Sequence, residues 1–172
     1  MLLPVVQQAV NQRSLGANCD GCPLREFMPV LPQVVTGAQL IICGEAPGKE
    51  EVIQGRPFVG ASGWFLDKHL AAAGLHRTTQ VHVTNALLCR PPKKFSDAQW
   101  KHALAACRPR LEQELASTRS TSTILALGGK ACWDLVDPGG PFNQPAAHDK
   151  IFSWRGAPVT IRIATREFTV VP

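Results

Sequence analysis

The sequence predicts an α/β fold: a three-layer sandwich around a central, mostly parallel sheet. Three observations point there. Short apolar runs (QLIIC at Gln39–Cys43, VHVT at Val81–Thr84, STILAL at Ser122–Leu127) have the length and bounding turn residues of buried strands. Helix-length segments separate them, and strands alternating with helices favour parallel pairing. A loop rich in Gly and Pro, Gly44–Gly60 (GEAPGKEEVIQGRPFVG), leaves the first run and feeds a helix. In open α/β sheets that edge is where ligands bind.

In chain order, Pro4–Ser14 carries Val5, Val6, Ala9 and Val10 at helical spacing and predicts a first helix. Leu15–Pro32 is a loop broken by Pro23, Pro29 and Pro32. Strand Gln39–Cys43, the Gly44–Gly60 loop and a helix over Ser62–Leu75 follow, with Ser62 placed as its cap. Val81–Thr84 is the second strand, ending at Asn85. Ala86–Phe95 is a loop with two prolines. Ser96 opens a long helix to Ser117, and Gln99 three residues on makes a capping box. Ser122–Leu127 is the third strand and Gly128–Val136 a short helix. A Pro- and Gly-rich loop spans Asp137–Ser153, and Pro158–Ile163 and Glu167–Val171 read as final strands. The sequence shows no internal repeat and no low-complexity segment.

The 172 residues are expected to form a single domain, 1–172, large enough to bury a core. No apolar run reaches a membrane span, and Met1–Val6 lacks the basic start and length of a signal peptide, so a cytosolic location and no membrane partner are expected. The net charge of +5 favours an anionic partner, nucleic acid first. Its basic residues group at Arg90, Lys93 and Lys94, at Arg108 and Arg110, and at Arg155, Arg162 and Arg166. A solvated surface of modest charge is the plainer alternative.

Six cysteines in a cytosolic chain are poor disulfide candidates. Cys19 and Cys22 form a C-x2-C, Cys89 opens CRPPKK, and Cys107 lies in the helix after Ser96. Cys43 and Cys132 sit in apolar or amphipathic runs and read as small core residues. A C-x2-C alone suggests a metal, with zinc the first guess.

Two phosphate-loop readings of Gly44–Gly60 fail. A Walker A loop needs four residues between its glycines and then Lys-Ser/Thr; here there are three, and Glu50 follows Lys49. No G-x-G-x-x-G is present. The stretch instead resembles the first motif of the iron–sulfur (family 4) uracil-DNA glycosylases, GE-(A/G)-PG, acidic residues, then G-x-PFVG-x-(A/S)G. The resemblance runs from about Cys19 to Val171. It implies the glycosylase fold, DNA binding, and a [4Fe–4S] cluster held by Cys19, Cys22, Cys89 and Cys107. Thiolates suit zinc or iron by softness, and the family pattern is what selects iron.

Excising uracil requires a base flipped from the stack, an aromatic face to hold it, an amide to read its edge, and stabilisation of the leaving uracil while water attacks C1′. By resemblance Phe58 stacks on the base. Asn85, at a strand end and four residues before Cys89, reads uracil; an amide offers a donor and an acceptor. Glu45 and Glu51 match acidic positions that position water or line the pocket. Gly44, Ala46 and Gly48 bring backbone to the ligand. Arg90, Lys93 and Lys94 lie against phosphates of single- or double-stranded DNA. The plainer readings are a core Phe58, a turn-forming Asn85 and solvated carboxylates and cations.

Two departures stand out. The family loop after CRPP carries an Asn where this chain has Lys93-Lys94-Phe95. The sequence given ends at Pro172, before the His-Pro motif that follows such a last strand in the family, and His148 in its Pro/Ala loop is no substitute. The resulting expectation is a weakly active or inactive accessory in replication or repair, with a DNA polymerase as one candidate partner. The rivals are an active uracil-DNA glycosylase and, from another class, a zinc-stapled α/β protein with no nucleic-acid role.

Overall fold

The computed structural model describes residues 16–118, 121–137 and 156–172. The expected helix over Pro4–Ser14, most of the Asp137–Ser153 loop, His148 and Arg155 lie outside the described residues.

Five strands form one sheet: β1 (Leu40–Gly44), β2 (Val81–Asn85), β3 (Thr123–Leu127), β4 (Val159–Ile163) and β5 (Arg166–Val171), in the spatial order β2-β1-β3-β5-β4. β1 pairs in parallel with β2 and β3, and β5 in parallel with β3. β4 joins as an antiparallel edge through a two-residue turn at Ala164, whose φ of 53° has the sign that tight hairpins need. The helices are α1 (Lys49–Gln54), α2 (Ala61–Ala72), α3 (Arg77–Gln80), α4 (Asp97–Ser117) and α5 (Gly129–Val136). Among the described residues no helix is long and apolar enough to cross a membrane.

Strand alternation sorts the core into layers. Ile41 and Cys43 of β1 face Leu111 and Leu115 of α4 and Ala131, Cys132 and Leu135 of α5. Ile42, Val81 and Val83 face Leu66 and Leu70 of α2. Helices therefore cover both faces, as a parallel sheet requires. Cys43 and Cys132 are buried core residues, as their apolar surroundings in the sequence suggest. A third cluster lies beside the sheet, where Leu24, Leu87, Leu88, Cys89, Leu104 and Cys107 pack together. The loop before β1 runs along the free edge of β2, with hydrogen bonds between Gln33 and Val83 in both directions and from Val30 N–H to the Leu88 carbonyl. That covers an edge otherwise open to pairing.

Three details differ from the sequence expectation. The motif loop contains α1, started at Gly48 and closed by Gly55 at φ 66°, the left-handed position that helix ends favour. Ser62 does not cap α2; the helix starts at Ala61 behind Gly60, without a side-chain cap from that residue. The Glu51 carboxylate reaches the same end instead, accepting from the N–H groups of Val59 (3.0 Å) and Gly60 (2.9 Å). A short helix, α3, precedes β2, where only a connection was expected. The Ser96–Gln99 capping box is present in full.

Candidate functional site

β1 leads to β2 on one side, and the chain then crosses to β3 on the other. The carboxyl ends of these three strands thus open a crevice at a topological switch point. An open cleft of about 980 Å³ sits there. Gly44, Glu45, Ala46, Pro47 and Gly48 after β1 line it, with Glu51, Phe58, Asn85 and Gly128, and Phe65 and His69 from α2. All five residues that were expected to meet a ligand through backbone, ring or amide (Gly44, Ala46, Gly48, Phe58, Asn85) are brought together here.

Gly44 is the pivot. Gly44 and Asn85 are partners in the β1–β2 register. A Cβ built on Gly44 would stand 2.4 Å from Asn85 Oδ1 and 2.6 Å from Phe58 Cζ. No side chain fits there, so ring and amide meet over bare backbone. Asn85 is buried at 3 % exposure, and it lines the cleft beside Phe58. An amide there offers a ligand both a donor and an acceptor.

Phe58 has φ 51°, a conformation that bulky residues rarely adopt. Its carbonyl presses on α2, where a Cβ on Gly63 would lie 1.9 Å from it. Arg77, in α3, holds the turn. Its guanidinium donates to the carbonyls of Phe58 (2.8 Å) and Pro57, and pairs with Asp67 at 3.0 Å. Gln33 fixes Arg77 in turn, exchanging hydrogen bonds with its Nε and its carbonyl. Strained residues held from several sides cluster at functional sites.

The Asn85 side is anchored from behind. Fully buried Arg110 donates to the carbonyls of Asn85 (2.8 Å) and Ala86 (2.9 Å), to Thr84 Oγ1 (3.2 Å), and to Glu114 (2.6 Å). Glu114 also meets His82 Nε2 at 2.6 Å. Burial alone would raise the Glu114 pKa, but the Arg110 guanidinium and the His82 hydrogen bond hold it below the usual carboxylate range. Burial likewise works against the Arg110 charge, and Cys107 and Glu114 overcome it. Arg110 is therefore no surface cation, as its place in a basic group had suggested. Arg108 is tied to Glu112 and lies 3.8 Å from Asp134, Arg162 pairs with Glu167, and Arg166 donates to the carbonyls of Thr118 and Thr121. Of the three expected phosphate contacts, Lys93 and Lys94 are exposed and Arg90 is half-buried.

The two motif carboxylates are structural ties. Burial pushes Glu51 up, yet the N–H groups of Gly60, Glu51 itself, Val59 and Gly48 outweigh it and keep its pKa low. Glu45 Oε1 accepts from Lys130 N–H at 2.8 Å, capping α5 from a loop 85 residues earlier. Gly128, at φ 104°, makes room, since a Cβ there would meet Glu45 Cγ at 2.6 Å.

Cys22, Cys89 and Cys107 share the third core cluster, and Cys19 is joined to Cys22 by a turn. Cys22 Sγ accepts from Leu24 N–H (3.4 Å) and Cys107 Sγ from Arg110 (3.5 Å), the kind of donors that steady metal-bound thiolates. Among the described residues no three His, Cys, Asp or Glu side chains are close enough to hold one metal ion. Thiolates of this kind suit zinc and iron alike by softness.

Residues 31–165 match the family model of the uracil DNA glycosylase superfamily. The chain belongs to that superfamily. It is similar to proteins named type-4 uracil-DNA glycosylase: 51% identical over 91 residues to that of Archaeoglobus fulgidus (53% of this chain, 44% of the relative). It is 36% identical over 126 residues to that of Pyrobaculum aerophilum (69% and 61%) and 30% over 138 residues to that of Thermotoga maritima (79% and 67%). The chain thus spans about three fifths of the Pyrobaculum relative and less than half of the Archaeoglobus one. In this superfamily member the residues that sequence reasoning missed are Arg77, Phe65 and His69, together with the buried role of Arg110. Arg110 had left a signal: with Glu114 it forms an i, i+4 pair beside the apolar positions Ala103, Cys107 and Leu111, where charges must be buried and paired.

Proposed function

We propose that this chain is the uracil-binding and DNA-binding body of an iron–sulfur, type-4 uracil-DNA glycosylase that acts in DNA repair. The observation that carries the reading is Gly44, over which an aromatic ring and a cleft-lining amide converge at the switch point. A flipped uracil stacks on Phe58 and presents its edge to Asn85, whose carbonyl and NH2 match a pyrimidine's donor and acceptor. Gly44, Ala46 and Gly48 keep the floor of the cleft free of side chains. Glu51 carries no base chemistry in this account. Its low pKa and backbone partners make it the brace that sets Phe58 in place. Glu45 borders the cleft with one oxygen committed to α5, and its other oxygen is the candidate for orienting water at C1′.

Cys19, Cys22, Cys89 and Cys107 would hold a [4Fe–4S] cluster in a cytosolic setting where thiols stay reduced. When bound, it staples the N-terminal loop and the Ala86–Phe95 loop to α4. Lys93 and Lys94, on that second loop, then face phosphates. On this reading the cleft serves a base, and the accessory role at a polymerase is the rival that the test below separates.

The test is release of uracil from single-stranded DNA, where unstacking costs least. Activity or uracil-specific binding that Asn85→Ala and Phe58→Ala abolish, with general DNA affinity kept, is the expected result. Equal affinity for uracil- and thymine-containing DNA, unmoved by either substitution, would overturn the reading. Iron and absorbance lost on Ser substitution of Cys19, Cys22, Cys89 or Cys107 checks the cluster. Colourless protein with one zinc would refute it.

A further inference from the structure

α2 carries two large side chains that the core does not use. Trp64 is 67 % exposed and Phe65 58 % exposed, whereas Gly63, Leu66 and Leu70 form the buried stripe of the same helix. Each aromatic sits one turn before a basic residue. Lys68 Nζ lies 5.8 Å from the Trp64 ring centre, and the His69 ring lies 4.3 Å from that of Phe65. His69 Nδ1 is within 2.8 Å of the Phe65 carbonyl; with its proton there, Nε2 is left for a ligand. The acid on this stretch, Asp67, is engaged by Arg77. The patch is therefore aromatic and cationic, and it adjoins the pocket directly, because Ala61, Phe65 and His69, spaced four apart, line the cleft with Phe58 and Asn85.

We propose that Trp64, Phe65, Lys68 and His69 form a stacking subsite for the nucleotides that flank the base in the pocket, in unpaired DNA. The proposal rests on the reading of the cleft as a base pocket. Phe65, at the rim, takes the base next to the flipped one. Trp64, about 100° further round the helix, takes the next. Lys68 reaches the phosphates between them, and the His69 ring extends the stacking face beside Phe65. Large exposed aromatics beside cations are how single strands are held without regard to sequence, since every base has a π face. A protein partner would want an apolar patch without interleaved cations aligned with the cleft.

The experiment uses single-stranded oligonucleotides with one deoxyuridine and 2-aminopurine one or two positions to either side. The protein should quench 2-aminopurine on one side only. Trp64→Ala/Phe65→Ala should remove the quench and weaken binding roughly 5- to 150-fold per lost stacked base, with the salt slope unchanged. Lys93→Ala/Lys94→Ala should do the reverse: keep the quench and flatten the salt slope. Both positions of the first variant are exposed, and an unchanged denaturation midpoint confirms its fold. A quench and an affinity that survive the double substitution would refute the subsite. So would loss of self-association in sedimentation with DNA affinity unmoved, which would make the face a contact between copies of this chain. If the quench and its loss are seen equally with thymine in place of deoxyuridine, the subsite stands and the uracil-pocket reading falls.

Discussion

Phe58 and Asn85 face the same cleft, yet the two walls that carry them are built on opposite principles. Asn85 ends a strand, and its carbonyl is held from behind by Arg110 in a charge network closed to water. Phe58 sits in a loop at positive φ, where Arg77, itself paired with Asp67, holds its carbonyl and Glu51 holds the next two N–H groups. The first arrangement ties amide position to the stability of the whole fold. The second lets the ring be placed, and displaced, at smaller cost. A base must enter against the ring while the amide stays still, and the contrast suits that division.

The strongest way to break the contrast is at the buried wall. Arg110→Met leaves Glu114 and two carbonyls without their donor and should cost about 3–5 kcal/mol in denaturant unfolding. Adding Glu114→Gln should recover part of it, as coupled neighbours do. Additive losses would mean that the two residues act independently.

At the exposed wall, Gly63→Ala drives a methyl into the Phe58 carbonyl. We expect about 1–3 kcal/mol of destabilisation, typical of overpacking, together with loss of uracil preference and retention of DNA affinity. Arg77→Met should shift uracil preference in the same direction while changing stability less. If Gly63→Ala binds uracil-DNA as the parent does, the strained turn is not what sets the ring.

The pH dependence sharpens the comparison through two carboxyls of opposite sign. Glu51 has its folded pKa depressed, so its contribution is complete above the ordinary carboxylate range and is lost as pH falls through the folded value. Asp134 is pushed up by burial to about 6 from 3.8, against the pull of Arg108 and Arg110. The folded state therefore holds the Asp134 proton more tightly. Its contribution is complete below 3.8 and declines as pH rises to about 6. Glu51→Gln should lower stability at neutral pH by about 1–3 kcal/mol and flatten the loss in acid. Asp134→Asn should flatten the decline between pH 4 and 6. Stability profiles by urea titration at each pH would show both, and unchanged slopes would contradict the assignments.

The smallest effects separate a real cap from an apparent one. Ser96→Ala should cost about 1 kcal/mol, because its hydroxyl and Gln99 complete a capping box. Ser62→Ala should stay within about 0.5 kcal/mol, because α2 starts behind Gly60 and no side-chain cap is made there. Equal losses at the two serines would return the cap to Ser62.

Ser62 and Ser96 also show how far sequence reading reached. Both precede an apolar helical run. Only Ser96 has its partner three residues on, so its cap is complete in local sequence, whereas the two residues that lead into α2, Val59 and Gly60, are held by a carboxylate that comes back from α1. Arg110 fails for the same kind of reason. It was grouped with Arg108 as a surface cation, and its burial depends on His82 and Thr84 pointing at α4 from a strand that sequence marks only as apolar. The motif residues were legible because glycines, ring and amide recur in a fixed order. That order does not say that Gly44 and Asn85 are register partners, which the β1–β2 pairing decides.

By itself the sequence determined the alternation of strands and helices, the open loop at the carboxyl end of β1, the superfamily, and the chemical types at the cleft. Those properties are written in local periodicity, in turn residues and in a contiguous motif, and they need no knowledge of distant chain. The tertiary structure alone decided which charges are buried, that Glu45 caps α5, that Arg77 holds Phe58 in a left-handed turn, and that α2 turns Phe65 to the cleft and leaves Trp64 exposed beside it. Each of these depends on which loops finish at the same sheet edge. A side chain that satisfies backbone 20 to 85 residues away leaves no periodic trace in the sequence.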